Sequence, residues 1–315
     1  MKVLVTGGAG YVGTDLVRTL AMRPEVTEVR IYDNLSRKNH NLFLGATLEG
    51  GEKVRFVCGD ILDSRKLAKA LQGIDVVYHL AACVSTPFSH LDSHVYEQVN
   101  HWGTADLVSA VEESDVKRFV YLSSASVYGK SATAEFTEES VPFPKTVYGI
   151  SKLKGEEHVR RLFSKMDTYI LRCANVYGYS KSMRFDAVIN RFMFESHFNG
   201  RISIDGNGKQ FRAFVHVDTV TQALGGLLSE TVPSGMYNLA DKNLRIIDVV
   251  DALKEVYPEL EFMFVNQHLE LESLKVSPES SLREYLNFSK SVDFVDELKS
   301  FKESFSFCYN NVPVN

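Results

Sequence analysis

Short apolar runs recur along the first half of the chain, separated by stretches with an apolar residue every three or four positions. KVLVTG (2–7), EVRIYD (28–33), VRFVCGD (54–60), DVVYHLA (75–81), KRFVYLSS (117–124) and DTYILRCA (167–174) are rich in Val, Ile, Tyr and Phe. Each ends at small or polar residues, the pattern of a buried strand. Between them Gly13–Leu20, Ser64–Leu71, Val99–Glu112 and Tyr148–Phe163 read as helices. Strand and helix alternating at this spacing predict a parallel sheet with helices on both faces.

The alternation loosens after about residue 176. RISIDG and RAFVHVD are candidate strands, and Val217–Leu228, Asp248–Tyr257 and Asp293–Phe305 candidate helices. The expected architecture is α/β: a Rossmann-type doubly wound parallel sheet with a smaller C-terminal substrate-binding lobe. Residues 1–175 form the nucleotide-binding domain, with segments at about 212–228 free to return to it. Residues 176–315 are mainly the lobe. The final NNVPVN is expected to fray.

The 315 residues are 44% hydrophobic and 24% charged, ordinary for a globular protein, and a net charge of −5 gives no reason to expect nucleic acid. Cys58, Cys83, Cys173 and Cys308 are far apart with no CxxC pair, so neither a metal knuckle nor a redox motif is expected. Cys58 and Cys173 lie in apolar runs and read as buried thiols. No run approaches the roughly 20 apolar residues of a membrane span, and the first run stops at glycines. A soluble, cytoplasmic protein is expected.

Gly8-x-Gly10-x-x-Gly13, with Gly7 before it, follows the first strand and opens a helix. Glycines there allow a tight turn and close approach of backbone to a pyrophosphate, which the helix N-terminus attracts. Asp33 ends the second strand, where a carboxylate suits the two hydroxyls of an adenosine ribose and repels a 2′-phosphate. NAD is favoured over NADP; Arg37 and Lys38, close behind, oppose that preference. Asp60, in GDILD, is placed either to accept from an adenine amino group or to cap the helix at 64–71.

TVYGISKLKGEE (146–157) sets Tyr148 and Lys152 four residues apart, hence on one helix face. A phenol of pKa about 10 needs a nearby cation to act as a base at neutral pH. YLSSASVYG (121–129) puts Ser123, Ser124 and Ser126 at the end of a strand. In a doubly wound sheet the serines, the glycine turn and the Tyr148 helix start share the edge where ligands bind. Such a set suits hydride transfer to or from an alcohol.

TGGAGYVG, YDNLS, GDILD, HLAA, Asn100, SSASVYG, YGISK, LRCANVYG and GNGKQFRAFVHVD, in that order from residue 6 to 218, resemble the extended short-chain dehydrogenases/reductases of the sugar-nucleotide epimerase/dehydratase group. Beyond about residue 245 the resemblance is loose. It implies Tyr148 as acid/base, Lys152 as its electrostatic partner and Ser124 on the reacting sugar hydroxyl. Tyr11 and Val12 would line the diphosphate turn with Gly7, Gly10 and Gly13. Asp33, Asn34, Asp60 and Ile61 would hold the adenosine half, and Leu80, Ala81, Ala82 and Asn100 the cofactor groove. Asn175, Asn190 and Arg212 would meet the sugar nucleotide, with lobe packing an alternative for Arg212. The family's homodimers pair two long helices. Leu107, Val108 and Val111 could serve that face or the core.

Dehydratases of the family carry an Asp and a Glu directly after the serine; Ala125 and Ser126 stand there. Without them, loss of water lacks its acid and base. The remaining Ser–Tyr–Lys set suits a sugar-nucleotide epimerase, acting at C4 through a 4-keto intermediate. A 4-keto-sugar reductase, a 4,6-dehydratase and a non-catalytic dinucleotide-binding protein are the alternatives.

Overall fold

The computed structural model describes residues 1–84, 93–131, 134–268, 271–288 and 292–307. Cys308 and the NNVPVN tail lie outside the described residues. The strands are β1 (Lys2–Thr6), β2 (Glu28–Asp33), β3 (Val54–Cys58), β4 (Val76–His79), β5 (Arg118–Ser124), β6 (Asp167–Cys173), β7 (Asn175–Tyr177), β8 (Arg201–Asp205), β9 (Phe211–His216), β10 (Gly235–Leu239), β11 (Lys242–Arg245) and β12 (Glu261–Val265). The helices are α1 (Tyr11–Ala21), α2 (Ser64–Ala70), α3 (Ser93–Tyr96), α4 (Gly103–Glu112), α5 (Val147–Val159), α6 (Val188–Asn199), α7 (Val217–Gly226), α8 (Ile246–Val256) and α9 (Phe294–Glu303).

Seven strands form one parallel sheet in the order β10-β6-β5-β4-β1-β2-β3. Alternate side chains sort to opposite faces. Val3, Val5, Tyr78 and Val120 join Leu16, Val17 and Leu224 under α1 and α7. Leu4, Val77, Phe119 and Tyr121 join Leu107, Val108 and Val111 under α4 and α5. Covering both faces is what makes the strand runs continuously apolar. Leu107, Val108 and Val111 are thus core residues of the chain itself.

One expectation is corrected here, and one strand goes beyond the sequence pattern. Cys58 is exposed, because β3 is the edge strand and its outer face lacks a covering helix. The seventh strand, β10, has no counterpart in the sequence pattern. It pairs with β6 at the opposite edge, while α7 packs on α1. The remaining strands make a three-stranded sheet, β11-β9-β7, and a pair, β12-β8. They pack with α6, α8 and α9 around Phe192, Phe214, Val250 and Leu298. Among the described residues no helix is long and apolar enough to cross a membrane.

Strand order reverses between β1 and β4, which opens a crevice at their carboxyl ends. There the loops after the two strands touch: a Cβ on Gly7, whose φ is +72°, would lie 2.6 Å from the Ala81 nitrogen.

Candidate active site

The crevice opens into a cavity of about 1090 Å³ that runs from the glycine turn to the lobe. That is at the upper end of the range for small-molecule and cofactor sites. At one end α1 starts at Gly10, which has no side chain to cap it, so the first-turn amides are left for a ligand. A Cβ at Gly13 would fall 2.4 Å from the Gly7 carbonyl oxygen, so glycine here is a packing requirement.

Asp33 ends β2 with one carboxylate oxygen accepting from the Ala9 amide (3.0 Å) and the other from Leu35 (2.8 Å). This fixes the carboxylate at the mouth of the glycine turn. Asn34 donates to Asp60 at 2.8 Å, and both line the cavity beside Ile61. The cap of α2 is Asp63, which accepts from Lys66, so Asp60 is not spent on capping. Arg37 lines the same cavity as Asp33, within electrostatic reach of Arg184 and Asp186. A bare helix N-terminus, a cradle that a Cβ would fill and a ribose-facing carboxylate together fit a dinucleotide.

Leu80, Ala81 and Ala82 continue the wall from β4. Asn100 stands behind it, in a π-helical stretch (Glu97–Trp102) between α3 and α4. Its amide accepts from Cys83 N and donates to Cys83 O, both at 2.8 Å, and to the Ser151 hydroxyl at 3.0 Å. It therefore braces the wall against α5 instead of facing the cavity. Tyr11 and Val12 are buried at the turn. The Tyr11 hydroxyl donates to the Gly178 carbonyl and Thr14 to Ser182 (2.7 Å), so the 178–182 loop is tied across the start of α1.

At the centre, β5 delivers Ser124 and α5 delivers Tyr148 and Lys152, all on the cavity wall. Thr146 caps α5 through the Gly149 amide (3.0 Å), which places Tyr148 in the first turn. The Tyr148 ring rests edge-on against Tyr96, centroids 6.3 Å apart. Burial raises the Tyr148 hydroxyl's pKa, opposed by the nearby Ser124 hydroxyl, which itself donates to Ser126 at 3.2 Å, and by the charge of Arg184. Arg184 was not among the expected residues. It pairs with Asp186 at 2.7 Å, and both line the cavity. Lys152 is 2% exposed, its ammonium 4.2 Å from the Tyr121 ring centroid. Burial pushes its amine down to about 7, against the pull of Glu156.

Toward the lobe, Asn175 and Arg212 line the cavity. Asn175 donates to the Ala213 carbonyl (2.9 Å), and the Arg212 guanidinium to the Glu272 carbonyl. Asn190 lies behind the wall, fully buried, accepting from Gly178 N (3.0 Å) and donating to Arg184 O (3.1 Å). It sets the course of the segment that carries Arg184.

Comparison with known proteins agrees with this geometry. A model of the NAD dependent epimerase/dehydratase family matches residues 3–240. The chain is 32% identical over 244 residues to the dTDP-D-glucose 4,6-dehydratase of Homo sapiens, covering 76% of this chain and 68% of that protein. It is 33% identical over 228 residues to a putative UDP-glucose 4-epimerase of Methanocaldococcus jannaschii, 70% and 71% of the two chains. Among solved structures, UDP-glucuronic acid 4-epimerase from Bacillus cereus, in complex with NAD and a fluorinated UDP-sugar, superimposes with a TM-score of 0.85. The identity is 26%, over 96% of this chain and 98% of that one. The chain is an enzyme of the NAD dependent epimerase/dehydratase family, and its cofactor is NAD.

Proposed function

We propose that the chain is a sugar-nucleotide 4-epimerase. The observation that carries this reading is the meeting of Ser124 and Tyr148, with Lys152 one turn on, while Ala125 and Ser126 occupy the turn after β5. Tyr148 takes the proton of the sugar C4 hydroxyl and returns it after the sugar has turned over. Ser124 holds that oxygen by a hydrogen bond, and the Lys152 charge favours the phenolate. NAD, when bound, would supply the redox chemistry of that carbon. Arg212 and Asn175 meet the nucleoside diphosphate toward the lobe. The cofactor half is then residues 1–175 together with 217–226 and 235–239, the rest being the substrate lobe.

A 4,6-dehydratase is the second reading, favoured by the 32% identity to the human dehydratase. It needs an acid and a base for water loss. Of the carboxylates on the described wall, Asp33 and Asp60 belong to the adenosine rim, Asp186 is held by Arg184, Asp205 accepts from Asn266 at 2.9 Å and Glu272 lies 3.7 Å from Lys130. The solved UDP-glucuronic acid 4-epimerase, with a TM-score of 0.85, supports epimerisation; a solved dTDP-glucose 4,6-dehydratase covers the same 96% of this chain with a TM-score of 0.81. We also infer a homodimer through α5, α4 and the π-helical stretch before α4, where Ile150 and Trp102 are exposed.

The test is incubation of UDP- and dTDP-sugars with the enzyme and catalytic NAD, read by NMR. An inverted C4 with no net NADH supports the proposal. A 4-keto-6-deoxy product means a dehydratase, and steady consumption of NADH on a 4-keto sugar a reductase.

A further inference from the structure

Tyr148 and Lys152 are two members of a row of three. Glu156 follows one turn later on the same face of α5. It is fully buried. Arg172 of β6 engages both its oxygens, Nε to Oε1 at 3.1 Å and Nη2 to Oε2 at 2.8 Å. Ser123, the residue before Ser124, donates to Oε1 at 2.6 Å. Arg172 is 1% exposed and also donates to the Tyr128 hydroxyl at 3.2 Å, which donates to Asn238 on β10 at 2.8 Å. One carboxylate therefore ties α5 to the ends of β5 and β6.

Stability does not account for this pair. Taking two charges out of water costs several kcal/mol per ion, and apolar residues of similar volume often serve a core as well or better. The neighbours of Lys152 show what the charge can do. Tyr121 of β5 lies under the ammonium. His79 of β4 is stacked on Tyr121, fully buried, and held down to about 3, so it is neutral. Cys173 of β6 is buried and its thiol pushed up, so it stays protonated. Tyr148 is raised as well. Arg160, one turn beyond Glu156, sits 3.8 Å from its carboxylate. Among the described groups acting on Lys152, the anion is Glu156.

We propose that Glu156, held by Arg172 and Ser123, is a positioning residue that keeps the Lys152 amine charged and holds β5 and α5 so that Ser124 faces Tyr148. The proposal rests on Tyr148 and Lys152 as the proton-transfer pair. Arg172 then works as a regulator of strength: it compensates part of the Glu156 charge that Lys152 experiences.

The test follows the Lys152 amine by NMR of enzyme carrying NAD and 13Cε-labelled lysine, its signal assigned by its loss in Lys152→Arg. Glu156→Gln should lower the midpoint of the Lys152 titration by about one pH unit, in the range for a neighbouring charge. Arg172→Met should raise it. Both variants lose stability, so a merely structural role would move them the same way and leave the titration in place. The double variant Glu156→Gln/Arg172→Met leaves no orphaned charge and should fold, with its midpoint lowered by less than in Glu156→Gln because the opposing Arg172 charge is gone as well. An unmoved midpoint in the double variant would overturn the proposal. The alkaline limb of the kcat/KM profile should follow the NMR midpoint. If the midpoint moves and the limb does not, Glu156 acts on Lys152 as proposed and the proton-transfer reading is what fails.

Discussion

The hydroxyl of Tyr11, in the first turn of α1, donates to the backbone carbonyl of Gly178, 167 residues later. Ser182 in the same loop accepts from Thr14, and the Lys181 carbonyl accepts from Asn41 at 2.5 Å. The loop from the lobe is thereby fastened to the start of α1, beside the glycine turn. Release of a cofactor held at that turn is expected to require these bonds to open. Tyr11→Phe removes one buried hydrogen bond, about 1 kcal/mol net, which is a factor of about five. Release of bound NAD on dilution, followed by fluorescence, should quicken by that factor while the fold is unchanged. An unaltered release rate would mean that the loop does not retain the cofactor.

Acid sensitivity should have an identifiable source. His79 is fully buried between Thr6 (2.8 Å) and Thr104 (2.9 Å), and burial holds its pKa down to about 3. The unfolded chain takes up a proton at this residue near pH 6.5, the folded chain only near 3. Between those values the unfolded state binds more protons, so stability falls as pH falls. From pH 7 to pH 5 this one group costs about 2 kcal/mol. Urea unfolding at the two pH values should show that loss in the parent chain and not in His79→Gln. Equal losses would place the acid sensitivity elsewhere.

What could be read from the sequence is what local spacing carries. The strands β1, β2, β4, β5 and β6 are largely covered on both faces, so they appear as unbroken apolar runs; β3 shows such a run although it lies at the sheet edge. The glycine turn, Asp33 and the Tyr148–Lys152 pair are defined by offsets of a few residues. β10 escaped because GMYNL carries a buried Asn238, satisfied by the Tyr128 hydroxyl and so as much a core residue as Leu239. Cys58 misled because an apolar run does not reveal that its strand is an edge. Arg172 offered an unused signal: an arginine inside an apolar strand needs a buried partner, and Glu156 supplies it. Arg184 offered none. SKSMRFDA has no period, and the residues that give Arg184 meaning, Tyr148 and Arg37, are brought to it by the fold.

Cofactor choice should turn on Asp33. Its carboxylate is pinned by two backbone amides, so it cannot swing away from a 2′-phosphate. Arg37 lines the same cavity but lies within electrostatic reach of Asp186, which offsets part of its charge. NAD should bind at least tenfold more tightly than NADP, and Asp33→Ala should narrow the gap. Tighter binding of NADP to the parent chain would show that Arg37 or Lys38 captures the phosphate.

The role of Tyr148 can be isolated because its ring and its hydroxyl do different things. The ring packs edge-on against Tyr96 and shapes the wall. The hydroxyl meets Ser124 and lies in the field of Arg184. Tyr148→Phe keeps the ring and the helix, so melting temperature and NAD affinity should stay as they are. Turnover should fall at least about a hundredfold, the usual contribution of a positioned acid/base. Lys152→Met should differ in kind: it removes a buried charge facing the cavity, so it should weaken NAD as well as turnover. Ser124→Ala should slow turnover less than Tyr148→Phe, because the serine orients the reacting oxygen without taking its proton. Calorimetric titration of NAD and NMR-monitored turnover on one set of variants separate these outcomes. A Tyr148→Phe enzyme with near-normal turnover would remove the tyrosine from the chemistry and leave the meeting of Ser124 and Tyr148 as packing.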